Sequence, residues 1–201
     1  LIAHAAALTG LAWAGPLAAA TATPATTRGP FYPVTRPPED DANLAEIGGK
    51  RAQGQIIQVG GRVLDAKGRP AAGARVEIWQ ANSYGRYHPP GDHSSKLVDP
   101  HFQGSGISIA SADGAYRFLT IKPLAYGEGT FMRTPHIHFR VIATDKRELV
   151  TQMYFAGESL NAQDALLGQI RDPAARAAVT VDFRPQGDGA LAGTFDIVLG
   201  A

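Results

Sequence analysis

The sequence contains no cysteine. It therefore has no disulfide, no thiolate ligand and no thiol nucleophile, and any metal would be held by histidine, carboxylate, phenolate or water. Net charge is nearly absent as well: 19 lysines and arginines against 18 aspartates and glutamates leave +1. That balance gives no reason to expect nucleic acid or a charged membrane surface, so a small-molecule partner is expected. No apolar run is long enough for a stable membrane span, because the alanine- and leucine-rich stretch Leu1 to Ala20 is interrupted by Gly10, Gly15 and Pro16. No repeat of solenoid length is visible. What is abundant is turn chemistry, with 23 glycines and 14 prolines scattered over 201 residues. Many short strands in one domain with a single core are the expectation.

Residues 1–20 end in Leu17-Ala18-Ala19-Ala20 and read either as the remnant of an export signal or as an N-terminal packing helix. The first reading predicts a periplasmic or secreted bacterial protein, with cytoplasmic residence the alternative. Residues 21–53 turn to Thr, Pro and Gly and predict an extended N-terminal arm, anchored by Phe31 and Tyr32 within Gly29-Pro30-Phe31-Tyr32-Pro33. Residues 54–201 form the main domain. Gln55 to Val63 alternates toward Ile56, Val59 and Val63, and Ala74 to Trp79 resumes the two-residue period after a turn at Asp65 to Pro70, which predicts a hairpin with Trp79 in the core. Ser108 to Ala110 and Tyr116 to Ile121 flank Asp113-Gly114, a second hairpin signal. Pro135 to Thr144 and Leu149 to Phe155 are further strands across the charged turn Asp145 to Glu148. Asn161 to Val179 carries helical spacing interrupted by Pro173, and strands at Val179 to Phe183 and Thr194 to Leu199 complete the chain. The predicted class is all-β: an antiparallel β-sandwich with long loops and one short helix.

Within Arg133-Thr134-Pro135-His136-Ile137-His138-Phe139, strand alternation puts two imidazoles on one face and Ile137 and Phe139 on the other. Such a pair can close on one metal ion, although a strand with two hydrogen-bonded structural histidines has the same pattern. Further donors must come from elsewhere. The connection from Gln80 to Gln103 is too long for a plain turn and carries Tyr84, Tyr87, His88, His93 and His101, while the connection entering the His-x-His strand carries Tyr126.

Ile78-Trp79-Gln80-Ala81-Asn82, Gly85-Arg86-Tyr87, Asp99-Pro100-His101-Phe102-Gln103-Gly104, Thr120-Ile121-Lys122-Pro123 with Tyr126, and Arg133 to Phe139 together resemble the intradiol ring-cleavage dioxygenases, of the protocatechuate 3,4-dioxygenase type. The resemblance runs in order from about Gly29 to Phe155. It implies a prealbumin-like β-sandwich catalytic domain over 54–201 and a non-haem Fe(III) bound by Tyr87, Tyr126, His136 and His138. It also implies cleavage of a catechol ring by O2, with both oxygen atoms incorporated, to a cis,cis-muconate-type diacid. In that family pattern Tyr126 is the ligand that leaves and takes up a substrate proton, Arg133 places positive charge beside the ring, and Gln152 orients groups on the oxygen side. Hard phenolate donors suit a trivalent ion. All four ligand positions are filled, which implies an iron-binding subunit or a homo-oligomer.

Competing assignments stay open from sequence alone. Tyr84 could replace Tyr87, and Tyr116 and Tyr154 fit strand packing. His88, His93 and His101 fit a solvated loop, with His101 also suited to an entrance. Arg28 and the Gly127-Glu128 pair depart from the family pattern and leave the ring substituents undefined. Gly61-Arg62-Val63 through Gly73-Ala74 also resembles non-catalytic prealbumin-like modules, a second reading that leaves the histidines and tyrosines unexplained. A cupin would need a glutamate soon after His138, and none follows.

Overall fold

The computed structural model describes residues 21–35, 40–88, 91–128, 131–187 and 189–200. The reading of residues 1–20 as signal remnant or helix lies outside them, as does Pro37 to Glu39 of the following connector. Among the described residues the strands are β1 (Glu46–Ile47), β2 (Lys50–Arg51), β3 (Ile56–Leu64), β4 (Arg75–Trp79), β5 (Ser105–Ile109), β6 (Ala115–Ile121), β7 (Tyr126–Glu128), β8 (Phe131–Arg133), β9 (His136–Ile142), β10 (Glu148–Phe155), β11 (Thr180–Val181), β12 (Arg184–Pro185), β13 (Leu191–Thr194) and β14 (Ile197–Val198). The helical elements are a 3-10 turn at Ser159–Ala162, α1 (Ala165–Gln169) and α2 (Pro173–Ala178). The fold is all-β. No described helix is long and apolar enough to cross a membrane.

Two larger sheets carry the architecture. One has the order β11-β10-β9-β4-β5; the other joins β12, β13, β3 and β14, with β6 on the remaining edge of β3. Their apolar faces meet in one core: Val76, Ile78, Ile137, Phe139 and Met153 from the first sheet lie in the same cluster as Ile57, Val59, Val63, Phe118 and Ile197 from the second. Phe139 makes edge contacts with Tyr116, Phe118 and Phe195 across that layer. Alternation explains β9, where Ile137, Phe139 and Val141 are buried in the core and His136 and His138 occupy the opposite face.

The structure corrects several expectations. Strands β3 and β4 form no hairpin, since β3 pairs with β6, β13 and β14 while β4 pairs with β5 and β9. The Asp113-Gly114 turn likewise links β5 and β6, which lie in different sheets. Both turns are corners that carry the chain from one layer to the other, because turn chemistry fixes a reversal and not the partner of the next strand. Within β3 the inward residue near the start is Ile57 and not Ile56. A Cβ at Gly61 would lie 2.0 Å from the Phe195 carbonyl oxygen, so the closing segment can pack on β3 only where a side chain is missing. The sheets are mixed and not purely antiparallel: β11 runs parallel to β10, and β13 and β14 run parallel to β3. The helical crossover after β10 returns the chain in the direction that makes β11 parallel. Pro173 opens α2 at its first turn, capped by Asp172, so the region holds two short helices in place of one.

Candidate metal centre

The two histidines sit on the central strand of the first sheet, with β4 on one side and β10 on the other. Register places Trp79 and Gln152 directly across from His138, and Tyr154 across from His136. Trp79 is stacked on the His138 ring at 4.7 Å and 12°. It lies outside the main core, in a small cluster with Ala81 and Tyr87 that Phe31, Tyr32 and Tyr126 flank. Trp79 is buried as expected, but in this second cluster: Val76 and Ile78 face the main core, and Trp79 shares the histidine face.

The long loop delivers Tyr87 and not Tyr84. Asp92 accepts from the Tyr87 amide at 2.8 Å, and Asn82 accepts from the amides of Tyr84 and Arg86 at 2.9 and 3.0 Å, which pins this irregular stretch. Phe31 from the arm stacks on the Tyr87 ring at 4.5 Å. Tyr126 begins β7, which pairs with β8 so that Tyr126 lies opposite Arg133. The four rings converge: Tyr87 and Tyr126 centroids are 5.2 Å apart, Tyr126 and His136 5.5 Å, His136 and His138 5.0 Å, and Tyr87 and His138 6.2 Å. The Tyr87 hydroxyl lies 3.4 Å from His136 Nε2.

Burial dominates the electrostatics. It pushes the Tyr87 phenol well above its ordinary value, with the neighbouring Tyr126 hydroxyl adding to the effect, and it raises Tyr126 as well. Burial, aided by the Arg133 charge, holds His136 down to about 4, and it holds His138 well below the usual imidazole range. Both histidines are thus neutral lone-pair donors. His136 Nδ1 lies 2.7 Å from the Thr134 carbonyl oxygen, to which it donates, leaving Nε2 unprotonated toward Tyr87. Burial, the largest single effect, disfavours the Arg133 cation, but the hydrogen bond and charge of Asp164 together with the Tyr126 and Tyr154 hydroxyls outweigh it and raise the pKa. Arg133 Nε donates to Asp164 Oδ2 at 2.8 Å and Nη2 donates to Gln152 Oε1 at 2.6 Å.

A family profile described as Dioxygenase matches residues 27–201. The chain belongs to the intradiol dioxygenases. Among curated members of that family, the protocatechuate 3,4-dioxygenase beta chain of Burkholderia cepacia is 44% identical over 154 residues, which cover 73% of this chain and 65% of the relative. A hydroxyquinol 1,2-dioxygenase of Corynebacterium glutamicum is 31% identical over 203 residues, covering 88% and 63%. The chain thus spans just under two thirds of the length of each. Among solved structures, the dioxygenase domain of a dioxygenase–carbohydrate-binding fusion from Streptomyces sp. SirexAA-E superposes with a TM-score of 0.68 at 31% identity, over 90% of this chain and 99% of that one.

In this family member the residues singled out from sequence (Tyr87, Tyr126, Arg133, His136, His138 and Gln152) come together. His88 and His93 are exposed and His101 is half-buried, and none of them joins the four rings. Among the described residues no group of three or more His, Cys, Asp or Glu side chains could hold a metal. A metal at this place would therefore depend on the phenols, whose hard anionic oxygens suit a trivalent ion. Three residues were missed. Asp164 belongs to no motif in the sequence; Tyr154, which packs in the core as its strand position predicts, also donates its hydroxyl to Gln152 Oε1 at 2.9 Å; and Thr134 carries the carbonyl that fixes His136. The only local signal was Asp164 standing before an apolar helical run, a helix-cap pattern.

Proposed function

We propose that the chain is a ferric intradiol dioxygenase that cleaves a catechol-type ring with O2 to a cis,cis-muconate-type diacid. Tyr87, Tyr126, His136 and His138 would hold the iron. The observation that carries this reading is the convergence of a buried phenol (Tyr87), a partly buried one (Tyr126) and two neutral imidazoles on one face of the first sheet. Ferric iron held there would supply the positive charge that ionises the phenols and withdraws electrons from a bound catecholate.

The remaining steps belong to the chain's own side chains. Tyr126 is the more accessible phenol and lies beside Arg133, so its oxygen is placed to accept a catechol proton. Arg133, fixed through Nε and Nη2, presents its remaining N–H groups as a permanent cation where negative charge develops on the ring. Gln152 Oε1 is occupied by Arg133 and Tyr154, so its buried Nε2, which has no partner among the described residues, is left to orient a bound group. A cavity of about 400 Å³ lined by Phe31, Tyr32, Trp79 and Tyr87 borders the ring face, and one of about 560 Å³ lined by Thr26, Thr27, Leu166 and Ile170 borders Gln152 and Tyr154. The two sheets with their shared core support the prealbumin-like sandwich reading of 54–201, with 21–53 as an arm across it. A homo-oligomer is the corresponding expectation for assembly.

The test is reconstitution with ferric iron, visible absorbance, and oxygen uptake with a panel of catechols. Phenolate-to-iron charge transfer should colour the protein wine-red, and Tyr87→Phe should weaken or shift the band. A protein that stays colourless and consumes no oxygen after loading would overturn the proposal.

A further inference from the structure

We infer that Asp164 is a positioning residue for this reaction, setting the orientation of Arg133 and of the His136 ring together; the inference rests on the dioxygenase reading above. Asp164 lies outside the strands that carry the proposed ligands, yet its carboxylate accepts four hydrogen bonds with only 2% of the residue exposed. Oδ2 accepts from Arg133 Nε at 2.8 Å and from the Thr134 amide at 3.0 Å. Oδ1 accepts from the amides of Leu166 and Leu167 at 3.1 and 3.0 Å, at the start of α1. One anion thus ties a helix start to two consecutive residues just before the His-x-His strand.

Both ties lead to the centre. The bond to Nε fixes the plane of the Arg133 guanidinium, and that plane brings Nη2 to Gln152 Oε1 at 2.6 Å. The bond to the Thr134 amide holds the residue whose carbonyl oxygen takes the His136 Nδ1 proton at 2.7 Å. The same segment grips Thr134 a second time, because its hydroxyl donates to Asn161 Oδ1 at 2.8 Å while Asn161 Nδ2 donates to the Phe155 carbonyl at 2.7 Å. A proton on Nδ1 leaves Nε2 as the free donor, so whatever fixes Thr134 also fixes which nitrogen can bind a metal. Asp164 further supplies the one negative charge among the described residues that is paired with the buried Arg133 cation.

A purely structural account would make Asp164 a helix cap and nothing more. Asp164→Asn separates the two, because asparagine caps a helix about as well as aspartate but carries no charge and has one acceptor oxygen for two pairs of donors. Wild type, Asp164→Asn and Asp164→Ala would be compared by thermal unfolding, by bound ferric iron and the position of the charge-transfer band, and by kcat and KM for catechol. A fourth measurement, on the metal-free protein, would follow the His136 Nδ1 proton by nitrogen-correlated NMR.

Positioning predicts that Asp164→Asn stays folded and binds iron, while kcat falls about tenfold or more and KM changes much less. The charge-transfer band should shift, and the His136 Nδ1 proton should exchange faster than in wild type. Asp164→Asn leaves the buried Arg133 cation without its counter-charge and should melt somewhat earlier than wild type, and Asp164→Ala, which also loses the cap, should show the same changes and melt earlier still. Wild-type kcat, band and proton signal in Asp164→Asn would overturn the inference, as would an activity loss that merely tracks lost iron or lost folded protein. If wild type itself shows no band and no turnover, the dioxygenase reading falls, and the His136 proton in the metal-free protein then decides the positioning role alone.

Discussion

The histidine face of the first sheet carries two arginine–carboxylate clusters, and they are built on opposite principles. Arg133 and Asp164 are side chains of 7% and 0% exposure, joined through one short contact. Seven residues along, on the same face as His136 and His138, Arg140 shares Glu77 and Glu148 at exposures of 19%, 5% and 33%. This second cluster spreads its charge: Arg75 also reaches Glu77, Arg28 reaches Glu148, and the Tyr32 hydroxyl donates to Glu77 Oε2 at 2.7 Å. Taking a charge pair out of water costs more than it returns unless something else requires it, so the buried pair points to the site. The open cluster joins different parts, because Arg28 and Tyr32 belong to the arm and the others to the sheet. Between those two residues the arm sets Phe31 on Tyr87 and brings Gly29 to His138, where an added Cβ would lie 3.5 Å from Cε1. The inner pair aims the cation, and the outer cluster holds the wall.

The largest effect should follow from breaking the inner pair from the arginine side. Arg133→Met leaves Asp164 buried without its counter-charge and should destabilise the metal-free protein by about 3–5 kcal/mol in urea unfolding, with turnover lost. Adding Asp164→Asn removes the stranded charge and keeps a cap for α1. The double variant should therefore regain more than half of the lost stability while staying inactive. If Arg133→Met alone were as stable as wild type, the pair would have no structural weight and the contrast with the outer cluster would disappear.

A smaller effect is expected where the outer cluster meets the arm. Tyr32→Phe removes a hydroxyl that donates to Glu77 and accepts from Arg140 Nη1 at 3.0 Å, leaving part-buried charges one partner short. A loss of about 1–2 kcal/mol follows from one such bond. Because the arm walls the centre, KM for catechol should rise more than kcat falls, the reverse of the pattern expected for Asp164→Asn. Steady-state kinetics on both variants would show whether the two clusters divide their work in this way.

How much of this was legible in sequence differs between the clusters. Two-residue periods locate the main strands, and alternation alone puts His136 and His138 on a common face, while Arg133 and Gln152 stand out only through the motif resemblance. The tyrosines came from loops, where no period applies, and only the motif resemblance singled out Tyr87 over Tyr84. Pairing was not legible. Turn residues mark where the chain reverses, and the choice between a hairpin and a corner depends on which layer buries the next apolar face. Trp79 shows the consequence: its strand was found, but its stacking on His138 depends on the register between β4 and β9. The pairing of Asp164 with Arg133 is not legible in the sequence, because 31 residues of chain separate them. Glu77 looked like one charged residue in a strand, and its Tyr32 and Arg140 partners lie 45 and 63 positions away.

The smallest effect, and the sharpest test of the difference, belongs to Glu148. Its carboxyl is held down to about 2 by the hydrogen bond to Arg140, against desolvation, with help from Arg28. A carboxyl lowered in the folded state contributes stability that is complete above its ordinary value of 4.5 and is lost as pH falls from there toward about 2. Glu148→Gln should therefore flatten the acid side of the stability curve in that window. Near neutral pH it should cost only about 0–1 kcal/mol, because the pair is partly solvated. Raising salt from about 0.15 to 1 M shortens the screening length from about 8 to 3 Å, so the cost of Glu148→Gln should shrink toward zero while that of Arg133→Met stays nearly constant. Equal salt sensitivity in urea unfolding would mean that water reaches both clusters alike, and burial would then no longer explain why one of them faces the rings and the other holds the arm.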